Sequence, residues 1–278
     1  MGQSTAVGTI SNAQQISAEY TATRTIFTFQ AAAVRFNVTF LSPVTPNDYL
    51  RQSLPLSYLH IELDQTTRQG RDIQLYTEID ERWVTGPDSD FQNYPYNMQF
   101  EAVNSTSMYL VQRDSPEVYT EFGQRAEWGS AVYAVRSIVG LSSRNNNNVV
   151  TQLEFLTKGN LTFDHGGVGG PNNSFAYAVD ISTANAPSDV IIAVGHLRSP
   201  YLEYIRAVPG SVSQSYQQPR YGYWQAHFPN FAVAATFSSM TLKTLSHELK
   251  ISMLRSPAIP GKVLVVARLV INMLRSPN

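Results

Sequence analysis

Two runs of strict alternation, Ser57–Leu63 and Asp72–Ile79, constrain this chain more than any other feature. In the first, Ser57, Leu59, Ile61 and Leu63 fall on one side and Tyr58, His60 and Glu62 on the other. In the second, Ile73, Leu75, Thr77 and Ile79 oppose Asp72, Gln74, Tyr76 and Glu78. A period of two is that of a pleated strand, whose successive side chains point to opposite faces. Joined by a polar loop containing Gly70, the two runs predict an antiparallel hairpin with one wet face.

The same period recurs along the chain. Thr25–Phe29 and Val34–Phe40 predict a second hairpin, with Val34, Phe36, Val38 and Phe40 on a shared face. Further strands are expected at Met98–Val103, Met108–Gln112, Ala131–Ser137, Val150–Leu156, Phe175–Ile181, Val190–Leu197 and Tyr201–Ile205. Turn-rich breaks separate them at Gly86–Asp88, Ser115–Pro116, Asn145–Asn148 and Gly166–Asn173. Many short strands without β-then-helix alternation predict a mainly β chain, an antiparallel β-sandwich of supersandwich-like form. Val190–Val194 is apolar without interruption and predicts a central strand buried on both faces.

The period changes near Tyr223. Phe228, Phe231, Ala235, Leu242, Leu245 and Leu249 share a helical face, and Pro229 sits where a first turn tolerates it. An amphipathic helix is therefore expected over Pro229–Lys250. The chain divides into a β-sandwich domain at 1–225, a helix at 226–250 and an atypical tail at 251–278. In the tail, MLRSP at Met253–Pro257 returns at Met273–Pro277, with the apolar stretch Val263–Ile271 between. That stretch reads as a docked helix, or the tail as translated intron or shifted frame.

Composition removes several function classes. With 278 residues, 43% of them hydrophobic, the chain can bury a sizeable core. A net charge of −1 gives no electrostatic footprint for nucleic acid. Cysteine is absent, which excludes disulfides, thiolate metal sites and a cysteine nucleophile. No run approaches the roughly 18 apolar residues of a membrane span. The first twenty residues lack the basic and apolar regions of a secretory signal.

Chemistry-bearing residues are few. None of His60, His165, His196, His227 and His247 has metal-ligand spacing, and no cofactor motif is present. Asp164 beside His165, in a glycine-rich loop, could orient a base, or could be flexible loop composition. Asp88, Asp90 and Asn93 present oxygens at near-alternate positions but lack the glycine and terminal Glu of an EF-hand loop. Gly166–Gly170 is glycine-rich, yet no Lys-Ser/Thr follows to make a phosphate cradle. Trp83, Trp128 and Trp224 could form a sugar-stacking platform or fill the core. Sequons for N-glycosylation fall at Asn37, Asn104, Asn160 and Asn172. Asn37 is expected on the wet face of its strand.

Particular strings go beyond these generic patterns. They are FLSPVTPNDYLRQSLPLSYLHIE at Phe40–Glu62, IQLYTEIDERWVTG at Ile73–Gly86, RAEWGSAVYA at Arg125–Ala134 and VIIAVGHLRSPYLEYI at Val190–Ile205. RTIFTF at Arg24–Phe29 leads into FNVT at Phe36–Thr39. In wording, order and spacing, from about residue 15 to about residue 240, the chain resembles the N-terminal region of the fungal glutaminase A-like proteins. The resemblance implies a β-rich domain that precedes a helical, (α/α) barrel-type catalytic domain in a usually secreted protein. It implies a family activity of hydrolysing L-glutamine to glutamate and ammonia. The helical domain falls outside this chain, so no catalytic residue carries over, and the chain alone is expected to be inactive. A carbohydrate-binding module attached to a helical-barrel hydrolase is the alternative. An extracellular location follows from the resemblance only.

Overall fold

The computed structural model describes residues 12–68, 71–80, 82–85, 96–122, 125–166, 172–181, 186, 188–210, 215–236 and 262–268. One antiparallel sheet has the strand order β1-β2-β3-β4-β13-β10-β7-β6. These strands are β1 Gln14–Tyr20, β2 Arg24–Ala31, β3 Val34–Leu41, β4 Leu56–Leu63, β13 Asp189–Leu197, β10 Ser130–Arg136, β7 Thr106–Arg113 and β6 Tyr96–Val103. A second sheet runs β11-β12-β5-β16, built from Leu141–Asn147, Asn173–Asp180, Asp72–Asp80 and Lys262–Arg268. Two short ribbons complete the set: β8 Glu121–Phe122 with β9 Arg125–Ala126, and β14 Leu202–Ala207 with β15 Ser215–Arg220.

Alternation along single strands reveals the layers. On β10, Tyr133 and Val135 face the second sheet, whereas Val132 and Ala134 face away from it. On β12, Phe175, Tyr177 and Val179 join the same inter-sheet core, and Ala176 and Ala178 face outward. The core between the sheets also takes Leu59, Ile61 and Leu63 of β4 and Ile73, Leu75 and Ile79 of β5. The back of the large sheet is covered by Trp224, Phe231, Ala232, Ala234 and Ala235, from a 3₁₀ turn at Tyr223–Ala226 and a helical stretch at 231–236. The back of the small sheet is covered by the helix Asn148–Lys158, which packs Phe155 on Tyr76. The sandwich is thus sheathed on both outer faces.

This sheathing explains where sequence periodicity misled. β4 and β5 do not form the expected hairpin. They lie in different sheets and meet across the core, linked through a helical turn at Gln65–Arg68. Their second faces are not wet either: Tyr58, His60, Gln74, Tyr76 and Glu78 are all buried. The hairpin β2–β3 forms as expected, with Ala31 paired to Val34 and Ala32 at φ 48° in the two-residue turn. Strands stand where expected at β6, β7, β10, β12, β13 and β14. β13 lies between β4 and β10, with Val190 and Ile192 in one core and Ala193 in the other.

Val150–Leu156, read as a strand, belongs to the helix Asn148–Lys158. The side chain of Asn147 caps its N-terminus by accepting from the Val149 N–H, and Gly159 closes it at φ 77°. Its buried face is Asn148, Thr151, Glu154 and Phe155, while Val149, Val150 and Leu153 are exposed. The β-branched residues suggested a strand because the apolar side points outward. The asparagine run read as a break instead holds the end of β11 and this cap. Lys262–Arg268 is a strand parallel to β5, not a docked helix, in keeping with the β preference of its valines. Of the helix read over Pro229–Lys250, the part beyond residue 236 lies outside the described residues.

Ile192 is fully buried at the centre of the large sheet. Ile192→Ala should lower unfolding stability by about 2–5 kcal/mol in urea denaturation, through lost transfer energy plus a residual cavity. A loss below about 0.5 kcal/mol would contradict a close-packed centre.

Candidate functional site

The glycine-rich candidate loop starts where the helix Asn148–Lys158 ends. Asp164 bridges Arg144 in parallel along the outer edge of β11, and the Asn145 N–H donates to the Asp164 carbonyl at 2.9 Å. Consecutive side chains on an extended segment point to opposite sides. Asp164 and His165 therefore part company. The Asp164 carboxylate accepts from the Gly166 N–H at 3.1 Å and faces Arg144 at 3.7 Å. His165 turns the other way, into the seam between β11 and β6. No hydrogen bond joins the two side chains, so Asp164 does not orient the imidazole.

His165 lies flat on Phe100, with centroids 3.7 Å apart and planes 5° from parallel, and Phe163 meets it edge-on at 4.3 Å. Nδ1 is 3.2 Å from the Tyr109 hydroxyl and Nε2 is 3.4 Å from Ser143 Oγ. The Tyr109 hydroxyl also reaches the Ala176 carbonyl at 3.4 Å. One arrangement satisfies the set. Ser143 donates to Nε2, Nδ1–H donates to the Tyr109 oxygen, and Tyr109 donates to Ala176. Burial pulls the imidazole pKa down to about 4, against the opposing pull of the Asp164 charge. A base so weak drives little proton transfer at neutral pH. Ser143 itself is buried. The arrangement suits a neutral polar plug that seals one seam of the sandwich.

Two buried carboxylates that sequence reading passed over meet where the helix docks on the small sheet, Glu78 from β5 and Glu154 from the helix itself. Glu78 accepts from the Tyr76 hydroxyl at 2.7 Å and from the Gln152 amide. Glu154 accepts from Lys158 Nζ at 2.8 Å, from the Thr162 N–H at 3.1 Å, and from Arg144 and the Thr162 hydroxyl. Burial pushes the Glu154 pKa up, but these donors outweigh it and hold the carboxyl at about 2. Glu78 falls on the face that the alternation marks as polar, so nothing in its spacing signals burial.

The remaining candidates disperse. His60 is buried and 3.0 Å from the Asp189 carboxylate across the β4–β13 pair. Burial, with Arg198 nearby, lowers the His196 pKa to about 4. His227 packs on Tyr223 at 4.6 Å. Trp83 packs against the inter-sheet core, Trp224 is buried on the opposite side of the large sheet, and Trp128 donates to the Pro200 carbonyl at 2.9 Å. The three share no platform. Asp88, Asp90, Asn93, His247 and most of Gly166–Gly170 lie outside the described residues. Among the described residues, no group of three or more His, Asp or Glu could hold a metal ion. Asn104, Asn160 and Asn172 are exposed, whereas Asn37 is half-buried and accepts from the Thr28 hydroxyl.

The shifted groups set an acid-stability profile. His165 and His196 take up protons near 6.5 when unfolded but only near 4 when folded. Their contribution is complete above pH 6.5 and is lost as pH falls to about 4. Glu154 then extends the loss from its usual 4.5 towards 2. Urea midpoints should fall from pH 7 to pH 4, and less steeply in the double variant His165→Gln/His196→Gln. Equal slopes in wild type and variant would contradict this assignment.

Comparison with known proteins agrees with the geometry and the strings together. Residues 23–250 match the family described as "Domain of unknown function (DUF5127)". Over 228 residues, 80% of this chain, it is 26% identical to glutaminase A of Aspergillus oryzae (strain ATCC 42149 / RIB 40), spanning 32% of that protein's length. Over 99 residues, 35% of this chain, it is 32% identical to a probable glutaminase of Arthroderma benhamiae, spanning 11% of that protein. The chain thus spans a third or less of the length of these relatives. It belongs to the DUF5127 family, as the β-rich, glutaminase A-like domain that its sequence resembles.

Proposed function

We propose that this chain is a non-catalytic β-sandwich domain of a glutaminase A-like protein, serving a catalytic part carried elsewhere in such proteins. The family activity would be hydrolysis of L-glutamine to glutamate and ammonia. One observation carries the reading. The best acid–base candidate, His165, has both ring nitrogens engaged by buried partners and an imidazole held near pKa 4. The share of the A. oryzae relative spanned, 32%, leaves ample length for a helical catalytic domain beyond it. The role is then to pack on that domain and hold its cleft in shape.

The purified chain should release no ammonia from L-glutamine above background. Release that disappears in His165→Ala or Asp164→Asn would overturn the reading. The proposal includes an extracellular setting, inherited from the family resemblance. Passed through a secretory pathway, the chain should carry N-glycans at the exposed sequons Asn104, Asn160 and Asn172, and none at Asn37. Glycopeptide mapping decides this, and occupancy at Asn37 alone would contradict it.

A further inference from the structure

We propose that the β14–β15 ribbon is the arm by which this domain grips the remaining two thirds or so of a glutaminase A-like chain. The inference rests on the accessory role proposed above and names the surface that performs it. Residues paired across an antiparallel ribbon share a face. Leu202 pairs with Arg220, Tyr204 with Gln218 and Arg206 with Tyr216. One face therefore presents Leu202, Tyr204 and Tyr216 among two arginines and a glutamine. Leu202, Tyr204 and Tyr216 are 53%, 49% and 58% exposed, and Ile205 on the other face is 60% exposed. Large exposed apolar residues grouped in this way mark interaction sites, and tyrosine and arginine are enriched there.

The ribbon is prepared for contact. A two-stranded hairpin alone is marginal in water, yet this one is tied firmly at its base. Trp128 donates to the Pro200 carbonyl, the Arg198 guanidinium sits 4.8 Å above the Trp128 ring, and the Tyr201 N–H donates to Arg220 at 2.8 Å. Gln225 reaches Ser199 at 2.9 Å from the following 3₁₀ turn. On the face itself, Arg220 lies 5.4 Å over the Tyr204 ring and donates to Gln218 at 2.8 Å, which limits the side-chain freedom lost on binding. The face carries two cations and no carboxylate, so it fits an apolar surface rimmed by acidic groups. Its place in the chain favours the same occupant. After β15 only the 3₁₀ turn and the helical stretch at 231–236 are described before the family match ends at residue 250. The ribbon thus stands late in the domain.

Hydroxyl-radical footprinting tests this on two intact proteins, the present chain and the whole A. oryzae relative. In the present chain, Leu202, Tyr204 and Tyr216 should be modified readily. In the whole relative, the stretch aligned with 202–220 should be protected at least fivefold. Protection of another face instead, such as the one aligned with Val149, Val150 and Leu153, would overturn the ribbon while the accessory role stood. Protection of no face of the aligned segment would overturn both. As a control, Tyr204→Ser/Tyr216→Ser should leave the thermal midpoint of the present chain unchanged, and a clear fall would mean that these side chains serve the domain's own folding.

Discussion

Tyr109, Tyr133 and Tyr177 meet between the two sheets, with neighbouring ring centroids 5.2 and 5.0 Å apart, and the other layers are laid on the slab they hold together. Apolar burial would drive the sheets together in many relative positions, because it is non-directional. Hydroxyl groups are directional. Tyr133 of the large sheet donates to Thr77 Oγ1 of the small sheet at 2.6 Å. Tyr177 of the small sheet reaches the Ser107 and Tyr133 carbonyls of the large one, both at 3.0 Å. Tyr109 reaches back to the Ala176 carbonyl. Polar bonds crossing in both directions permit few slides between the sheets. Because a buried hydroxyl without a partner costs roughly 1–3 kcal/mol, each bond also penalises alternative registers.

The legible part of the fold was the part in which local pattern and global environment agree. β10, β12 and β13 read correctly because strands covered on both faces are apolar on both, and β2–β3 because its turn is short. The misread strand faces share one physical origin. Tyr58, His60, Tyr76 and Glu78 look like a solvent face when only one sheet is imagined. Covering each sheet twice turns those faces inward, and period-two reasoning carries no information about a second cover. Pairing partners were hidden for the same reason: the nearest strand in sequence to β4 lies across the core from it. Of the candidate site, the loop itself was legible, as was the presence of His165. Its partners Ser143, Tyr109 and Phe100 lie 22, 56 and 65 residues away in sequence, where no spacing rule reaches.

The helix Asn148–Lys158 shows how such a cover can be polar. It docks through Asn148, Thr151 and Glu154 as well as Phe155, and leaves Val149, Val150 and Leu153 outside. The small sheet answers with Glu78, whose carboxylate takes the Gln152 amide. Removing one partner from such a buried set leaves a charged group without compensation, a loss larger than that of one ordinary apolar contact. The helix is thereby held at one rotation about its axis, since a turn of one residue would part Glu154 from Arg144 and Gln152 from Glu78. Position is gained at the cost of exposing apolar surface.

That trade bears on what the molecule can do. A general base needs an open proton path and a pKa near the working pH. The imidazole of His165 is instead stacked on Phe100 and spends both nitrogens on Ser143 and Tyr109. Its ring fills the seam that an aliphatic side chain could fill as well, but only a group with two polar atoms also satisfies the hydroxyls beneath. The same accounting applies to Glu154, whose oxygens are taken up by Lys158, Arg144 and Thr162. Titratable groups engaged in this way stabilise the slab and are poorly placed to turn over a substrate. The capacity for interaction then lies on the outer surface, in apolar side chains that the sheets and helices leave uncovered. In the accessory role proposed above, recognition is separated from the chemistry of the interior: the core supplies a rigid frame, and the exposed aromatic face of the β14–β15 ribbon is what that frame presents.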